Sequence, residues 1–456
     1  MIPLDDRRAA FAACTAASFL TPLMASSINL ALPAISREFS MDALSLSWVA
    51  TSFLLVAAMF LVPFGRLADI YGRKRVFVYG MILFTFSSFL CGFASSGSML
   101  IALRALQGLG AAMIFATSMA ILTSAYPAAE RGKVLGINVA AVYTGLSVGP
   151  FVGGMLTHSF GWRSIFYANG LIGTVVCILV LWKLKSEWAE SRGERFDVSG
   201  SLIYTVSLTL LMIGFSKLPG VLGVCAVLAG MGGLVAFVAW EHTISHPLLD
   251  ISLFSKNVVF GFSNLAALIN YSATSAVTFL ISLFLQYVKG LDPQQAGLIL
   301  VAQPVMMAVF SPLAGRLSDS VEPRIVASIG MGLICVMLAL MAFVGSGTPL
   351  TLITVYLLVL GFGFALFSSP NTNAVMSSVE KRWYGVASAT LGTMRLTGQM
   401  LSMGIVMLIF AVTMGSTRIT PEYYPAFLRS MQIAFVIFSV LSAIGVFASL
   451  ARGKVR

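Results

Sequence analysis

In the run ATLGTMRLTGQMLS (389–402), Arg395, Gly398, Gln399 and Ser402 recur at i, i+3, i+4 and i+7. On a helix that spacing gathers them on one face. A guanidinium followed one turn later by an amide and then a hydroxyl can pair with charge and hydrogen-bond a ligand. A second arginine, Arg104, precedes Gln107 by three residues within LRALQGLGAA (103–112). In LMASSINLALP (23–33), Ser26, Asn29 and Pro33 share a face, and Asn138 is a further amide inside an apolar run. Ser26, Asn29, Arg104, Gln107, Asn138, Arg395 and Gln399 are therefore the candidates for a substrate cavity. Each also has a plainer role, as a bond between packed helices or, for the arginines, as a staple to backbone carbonyls.

Binding, not bond-making, is what these residue types support. No nucleophile–base or metal-spaced constellation accompanies them. Cys14, Cys91, Cys177, Cys225 and Cys335 are scattered singly without C-x-x-C spacing, and His158, His242 and His246 stand near the ends of apolar runs. A G-x-x-x-x-G-K-[ST] phosphate loop is absent, which argues against an ATP-driven pump. The expectation is a chain that is not an enzyme and holds neither metal nor cofactor.

The elements that position these residues are set by composition. The 456 residues are 58% hydrophobic and 10% charged, with a mean hydropathy of +0.94. So apolar a chain folds with lipid as its solvent. Apolar runs of helix-spanning length, about twice that of a barrel strand, occur at 11–33, 46–65, 76–94, 99–125, 133–156, 163–182, 198–216, 221–240, 259–286, 296–316, 324–344, 349–370, 384–414 and 430–451. The first is too long for a cleaved signal peptide and reads as a retained helix.

Threaded from a cytoplasmic N-terminus, fourteen spans leave twenty of the 28 Lys and Arg residues inside and six outside, with Arg104 and Arg395 in the spans. That bias predicts both termini in the cytoplasm. It also explains the net charge of +11 without a nucleic-acid partner. The organisation reads as a six-helix half (9–183), a linker with two additional helices (184–258), and a second six-helix half (259–451), an arrangement common in transporters.

Between the second and third spans lies GRLADIYGRKR (65–75), which pairs Gly65 and Gly72 with Asp69, Arg73, Lys74 and Arg75. Topology alone needs only the cations. The full pattern resembles the loop motif of the major facilitator superfamily, with Ile70 where a basic residue often stands. LRALQGLGAA resembles that superfamily's fourth-helix motif. GLSVGPFVGG (145–154) resembles the fifth-helix motif of its antiporters, and GRLSDSVEPR (315–324) is a degenerate copy of the loop motif in the second half. With fourteen spans, the whole chain is similar to the drug:proton antiporter branch that includes quaternary-ammonium and tetracycline exporters.

The resemblance implies an all-α major facilitator fold in the plasma membrane, exporting small molecules by alternating access with protons or another ion as coupling partner. It also implies that Gly65, Asp69, Gly72 and Arg73 form a cytoplasmic latch. Gly145, Gly149, Pro150, Gly153 and Gly154 would then let the fifth helix pack closely and bend.

One departure bears on the energy source. The first-helix position where the family often carries a proton-binding aspartate is Met24, and all seventeen acids fall at helix ends, termini or loops. With Arg104 and Arg395 uncompensated, the cavity would favour neutral or anionic molecules over cationic drugs. Three readings follow: proton-coupled drug export, export of a neutral or anionic metabolite without that coupling, and a non-transporting membrane sensor or scaffold.

Overall fold

In lipid, every backbone N–H and C=O must be bonded within its own segment, so long apolar runs become helices. Their starts follow local rules. Asp42, Ser96, Asp197, Asn257 and Asp292 each cap a helix by accepting from the backbone N–H three residues on, at 2.6–3.2 Å. The structure is a computed structural model describing residues 4–189, 191–244, 247–249, 254, 257–380, 384–415 and 417–453. Lys256, Lys381, Arg382, Lys454, Arg456, His246 and parts of the 184–258 segment lie outside the described residues.

The helices are α1 Leu4–Phe39, α2 Ala43–Tyr71, α3 Arg73–Gly92, α4 Gly97–Ala125, α5 Ala128–Phe160, α6 Arg163–Lys183, α7 Val198–Lys217 and α8 Val221–Glu241. There follow α9 Val258–Leu283, prolonged by a wider turn over Phe284–Val288, α10 Pro293–Leu300, α11 Ala302–Ser320, α12 Pro323–Met341, α13 Leu350–Ser377, α14 Tyr384–Thr413 and α15 Tyr424–Ala451. Among the described residues, fourteen helical segments are long and apolar enough to cross a membrane, α10 and α11 together forming the tenth. An even number returns the chain to its starting side, here called the terminal side, opposite a far side.

Helix pairing repeats between the halves. In α1–α6, the first helix packs on the fifth, the second on the fourth, and the third on the fourth and sixth; the same pairs recur as α9 with α14, α11 with α13, and α12 with α13 and α15. The halves meet along α1–α9, α5–α10, α5–α11, α2–α14 and α4–α14. Helices α7 and α8 pack on each other, and α7 also touches α2 and α14. Only Gly223, Gly230, Phe237 and Glu241 are buried on α8, whose remaining surface meets lipid.

Most helices outrun their apolar stretches, because polar end turns are still helical. One stretch is placed differently from its sequence reading. The apolar run 349–370 stops inside FSSPNTN (367–373), whereas α13 continues through Pro370 to Ser377.

Candidate transport pathway between the halves

Half-buried Arg395 lies on α14, where the two halves meet. Its Nη2 donates to Thr372 Oγ1 on α13 at 2.7 Å, and its guanidinium carbon stands 5.7 Å from the Tyr271 ring on α9. Its Nε has no acceptor. Thr372 Oγ1 in turn donates to the Ser368 carbonyl at 2.8 Å. Ser368 Oγ bonds Tyr143 Oη on α5, across the seam between the halves, at 2.5 Å. The Tyr271 ring meets Phe364 edge-on at 5.3 Å.

Helices α5, α9, α13 and α14 thus converge on one polar and aromatic cluster. Gln399 is half-buried one turn beyond Arg395, and Ser402 Oγ accepts from the Ala276 N–H of α9 at 3.0 Å. Asn270, adjacent to Tyr271, is fully buried with neither side-chain polar atom bonded.

Arg104 and Gln107, expected at the cavity, are placed inside the first half instead. Arg104 is 1% exposed; its Nε donates to the Val49 carbonyl at 3.1 Å and its Nη1 to Gln107 Oε1 at 2.5 Å. The guanidinium also lies 4.5 Å from the Phe53 ring. Gln107 Nε2 and Asn169 Nδ2 both reach Ser88 Oγ, at 2.6 and 3.1 Å. This chain ties α2, α3, α4 and α6 together, and the physical reason is packing: every acceptor it uses belongs to α4 itself or to the helices packed around it. The two arginines therefore have separate surroundings, Arg104's in the first half and Arg395's in the second. Asn138 faces α4, its Nδ2 3.3 Å from Met119 Sδ.

A third buried arginine was not foreseen as such. Arg452, counted as a terminal topology charge, is fully buried and donates to Ser449 O and Oγ, Ser263 Oγ and Asn371 Oδ1 at 2.7–3.2 Å. The amide of Asn371 in FSSPNTN was its only sequence-level signal.

On α1, Ser26 bonds back to the Pro22 carbonyl at 2.9 Å and faces Gly149, where a Cβ would strike its Oγ. Ser27 Oγ donates to the Gly149 carbonyl at 2.8 Å. Gly145, Gly149 and Gly153 thus let α5 lie directly on the α1 backbone at Phe19, Leu23 and Ser27, a contact of small residues usual in lipid. Gly154 and Pro150 make equally close contact with Pro293 and Gly297 of α10. Asn29 is half-buried at the seam, its carbonyl accepting from Ser282 Oγ at 2.7 Å. Met24 is 1% exposed in the apolar core.

At the terminal end of α2 the Gly72 backbone, at φ +122°, turns the chain directly into α3. Arg73 Nε pairs with Asp69 Oδ1 at 2.7 Å, and Arg73 Nη1 bonds Ser124 Oγ on α4 at 2.5 Å. Gly65 faces Ala116 of α4. The linker wraps this turn, which the sequence did not reveal. Arg73 N–H donates to the Trp188 carbonyl at 2.8 Å, and Ser191 N–H to the Asp69 carbonyl at 3.0 Å. Glu187 Oε1 accepts from the Lys74 N–H at 2.9 Å, Glu194 pairs with Arg66, and Ser186 bonds Asp6. A pair of buried carboxylates, Asp197 and Glu241, joins the feet of α7 and α8 around Gly200.

Two repeated six-helix halves, meeting along a polar seam in a bundle of fourteen spans, define a polytopic membrane carrier. The chain belongs to the Major Facilitator Superfamily, whose sequence profile matches residues 14–402 and, again, 263–455. Relatives include a riboflavin transporter (RibZ) of Clostridioides difficile, 31% identical over 83% of this chain and 82% of that protein. The multidrug resistance protein Stp of Mycobacterium tuberculosis is 32% identical over 88% of this chain and 75% of its own length. The cephamycin export protein CmcT of Amycolatopsis lactamdurans is 31% identical over 95% and 90%. In fold, the chain is similar to a bacterial homologue of the lysosomal transporter Spinster, with a TM-score of 0.71 at 16% identity, covering 99% of this chain and 98% of that one.

Proposed function

We propose that this transporter exports small organic molecules across the plasma membrane by alternating access, with the seam around Arg395, Tyr271 and Tyr143 as the central binding site. The observation that carries this reading is the Tyr143–Ser368 hydrogen bond. It joins the two halves beside a half-buried cation, so a molecule bound there touches both bodies that must move relative to each other. The basic bias of the terminal side supports a cytoplasmic location for it. Asp69 and Arg73 then act as a cytoplasmic latch with Gly65 and Gly72, and the glycine face of α5 as the surface on which α1 shifts. The relatives' names, a riboflavin transporter, a multidrug resistance protein and a cephamycin export protein, support an organic cargo.

The second reading, drug export driven by proton exchange, is the default of the resemblance. Against it stands the placement of every described acid at a helix end or in a loop, which leaves no embedded carboxylate to carry a proton among the described residues. The test is reconstitution of the full chain in liposomes, with a substrate screen by thermal stabilisation followed by flux of each hit. Stabilising compounds that cross only protein-containing vesicles support transport. Hits that bind and never cross would establish a sensor or scaffold instead.

A further inference from the structure

Within the bundle, Arg104 and Arg452 have their donors satisfied and Arg395 does not. Arg104 and Arg452 are 1% and 0% exposed and spend their donors on carbonyl, amide and hydroxyl oxygens of their own and neighbouring helices. Arg395 is half-buried, has one hydrogen bond to a neutral threonine, and keeps its Nε buried without an acceptor. The helices around it carry no counter-charge. In the sequence no acid lies between Glu130 and Glu187, Asp250 and Asp292, Glu322 and Glu380, or Glu380 and Glu422. Those intervals contain α9, α13, α14 and all of α5 beyond its first turn.

A guanidinium at that depth is stabilised by an anion, and none of the surrounding helices supplies one. Tyr271, with Phe364 at its edge, places an aromatic surface beside the charge. We propose that the cargo is a planar organic anion, bearing a carboxylate or phosphate, and that Arg395 is its counter-ion. The anion pairs with the guanidinium edge that carries the buried, unbonded Nε while its ring lies against Tyr271. This rests on the transporter reading above and adds the charge of the cargo.

The experiment compares matched pairs in liposomes holding the full chain: riboflavin with riboflavin 5′-phosphate, a penicillin with its methyl ester, and the cation ethidium. The wild-type chain should move the anionic member of a pair at least tenfold faster. Arg395→Gln should erase that preference, and Arg395→Lys should keep part of it at the same melting temperature. Thr372→Asp puts a carboxylate within reach of the guanidinium Nη2, now 2.7 Å from Thr372 Oγ1, and should abolish anion flux while admitting ethidium. Neutral or cationic members moving as fast in wild type and Arg395→Gln would overturn the anionic assignment and leave transport standing. Movement of none of the five compounds would count against the transporter reading and the assignment together.

Discussion

A guanidinium at mid-membrane costs about 2.5–3.5 kcal/mol on insertion scales, and each hydrogen bond it makes returns about 1.5–3 kcal/mol. Arg104, with its carbonyl and amide acceptors and the Phe53 ring, offsets that cost inside the first half. It is a staple of fold rather than of cargo. Arg104→Met, which leaves Gln107 Oε1 buried without a donor, should therefore lower stability by about 1–3 kcal/mol, read as an earlier thermal melt in detergent. Flux per folded molecule should be unchanged. A variant that melts like wild type but no longer transports would return Arg104 to the cavity.

The sequence alone singled out Arg395, because its polar stripe repeats at helical spacing. Tyr143, Tyr271, Ser368 and Thr372 were not legible. They come from three other helices, and a lone hydroxyl in an apolar run has no period to mark it.

The elements themselves were easier to read than their attachments. Fourteen apolar runs, turned by caps and glycines, gave fourteen spans, because hydropathy and lipid thickness act locally. The linker was different. Its contacts with the α2–α3 turn join residues more than a hundred positions apart, as with Lys74 and Glu187, and no pattern in a polar loop announces such a partner. Here the turn at Gly72 leaves α3 without a capping side chain of its own, and Glu187 supplies the acceptor.

A lost cap costs about 0.5–2 kcal/mol. Glu187→Ala should thus raise amide hydrogen exchange at the start of α3, at residues 74–76, by a factor of about 5–30 for a change of one or two kcal/mol. Exchange in α9–α15 should not change. Equal exchange in wild type and variant would show that the linker rests on the turn without holding it.

For the molecule as a whole, charge placement sets which forces act on the proposed cargo. Among the described residues, basic residues crowd the terminal side, acids sit at helix ends or in loops, and His158 and His242 stand near span ends, outside the seam cluster. The seam therefore contains a fixed cation and no group suited to exchanging protons near neutral pH. An anion bound to Arg395 and released on the other side carries its own charge across, so the membrane potential acts on it directly. One charge moving through 100 mV gains about 2.3 kcal/mol, which corresponds to a concentration ratio of about 50. A cell that is negative inside would expel such an anion without a proton in exchange. In liposomes clamped by a potassium diffusion potential at equal pH, riboflavin 5′-phosphate or penicillin should gather on the positive side, more steeply as the potential rises. A pH gradient at zero potential should move neither. Accumulation driven by the pH gradient alone would mean that protons reach the seam by a route absent from this charge map, and the potential-driven account would fall.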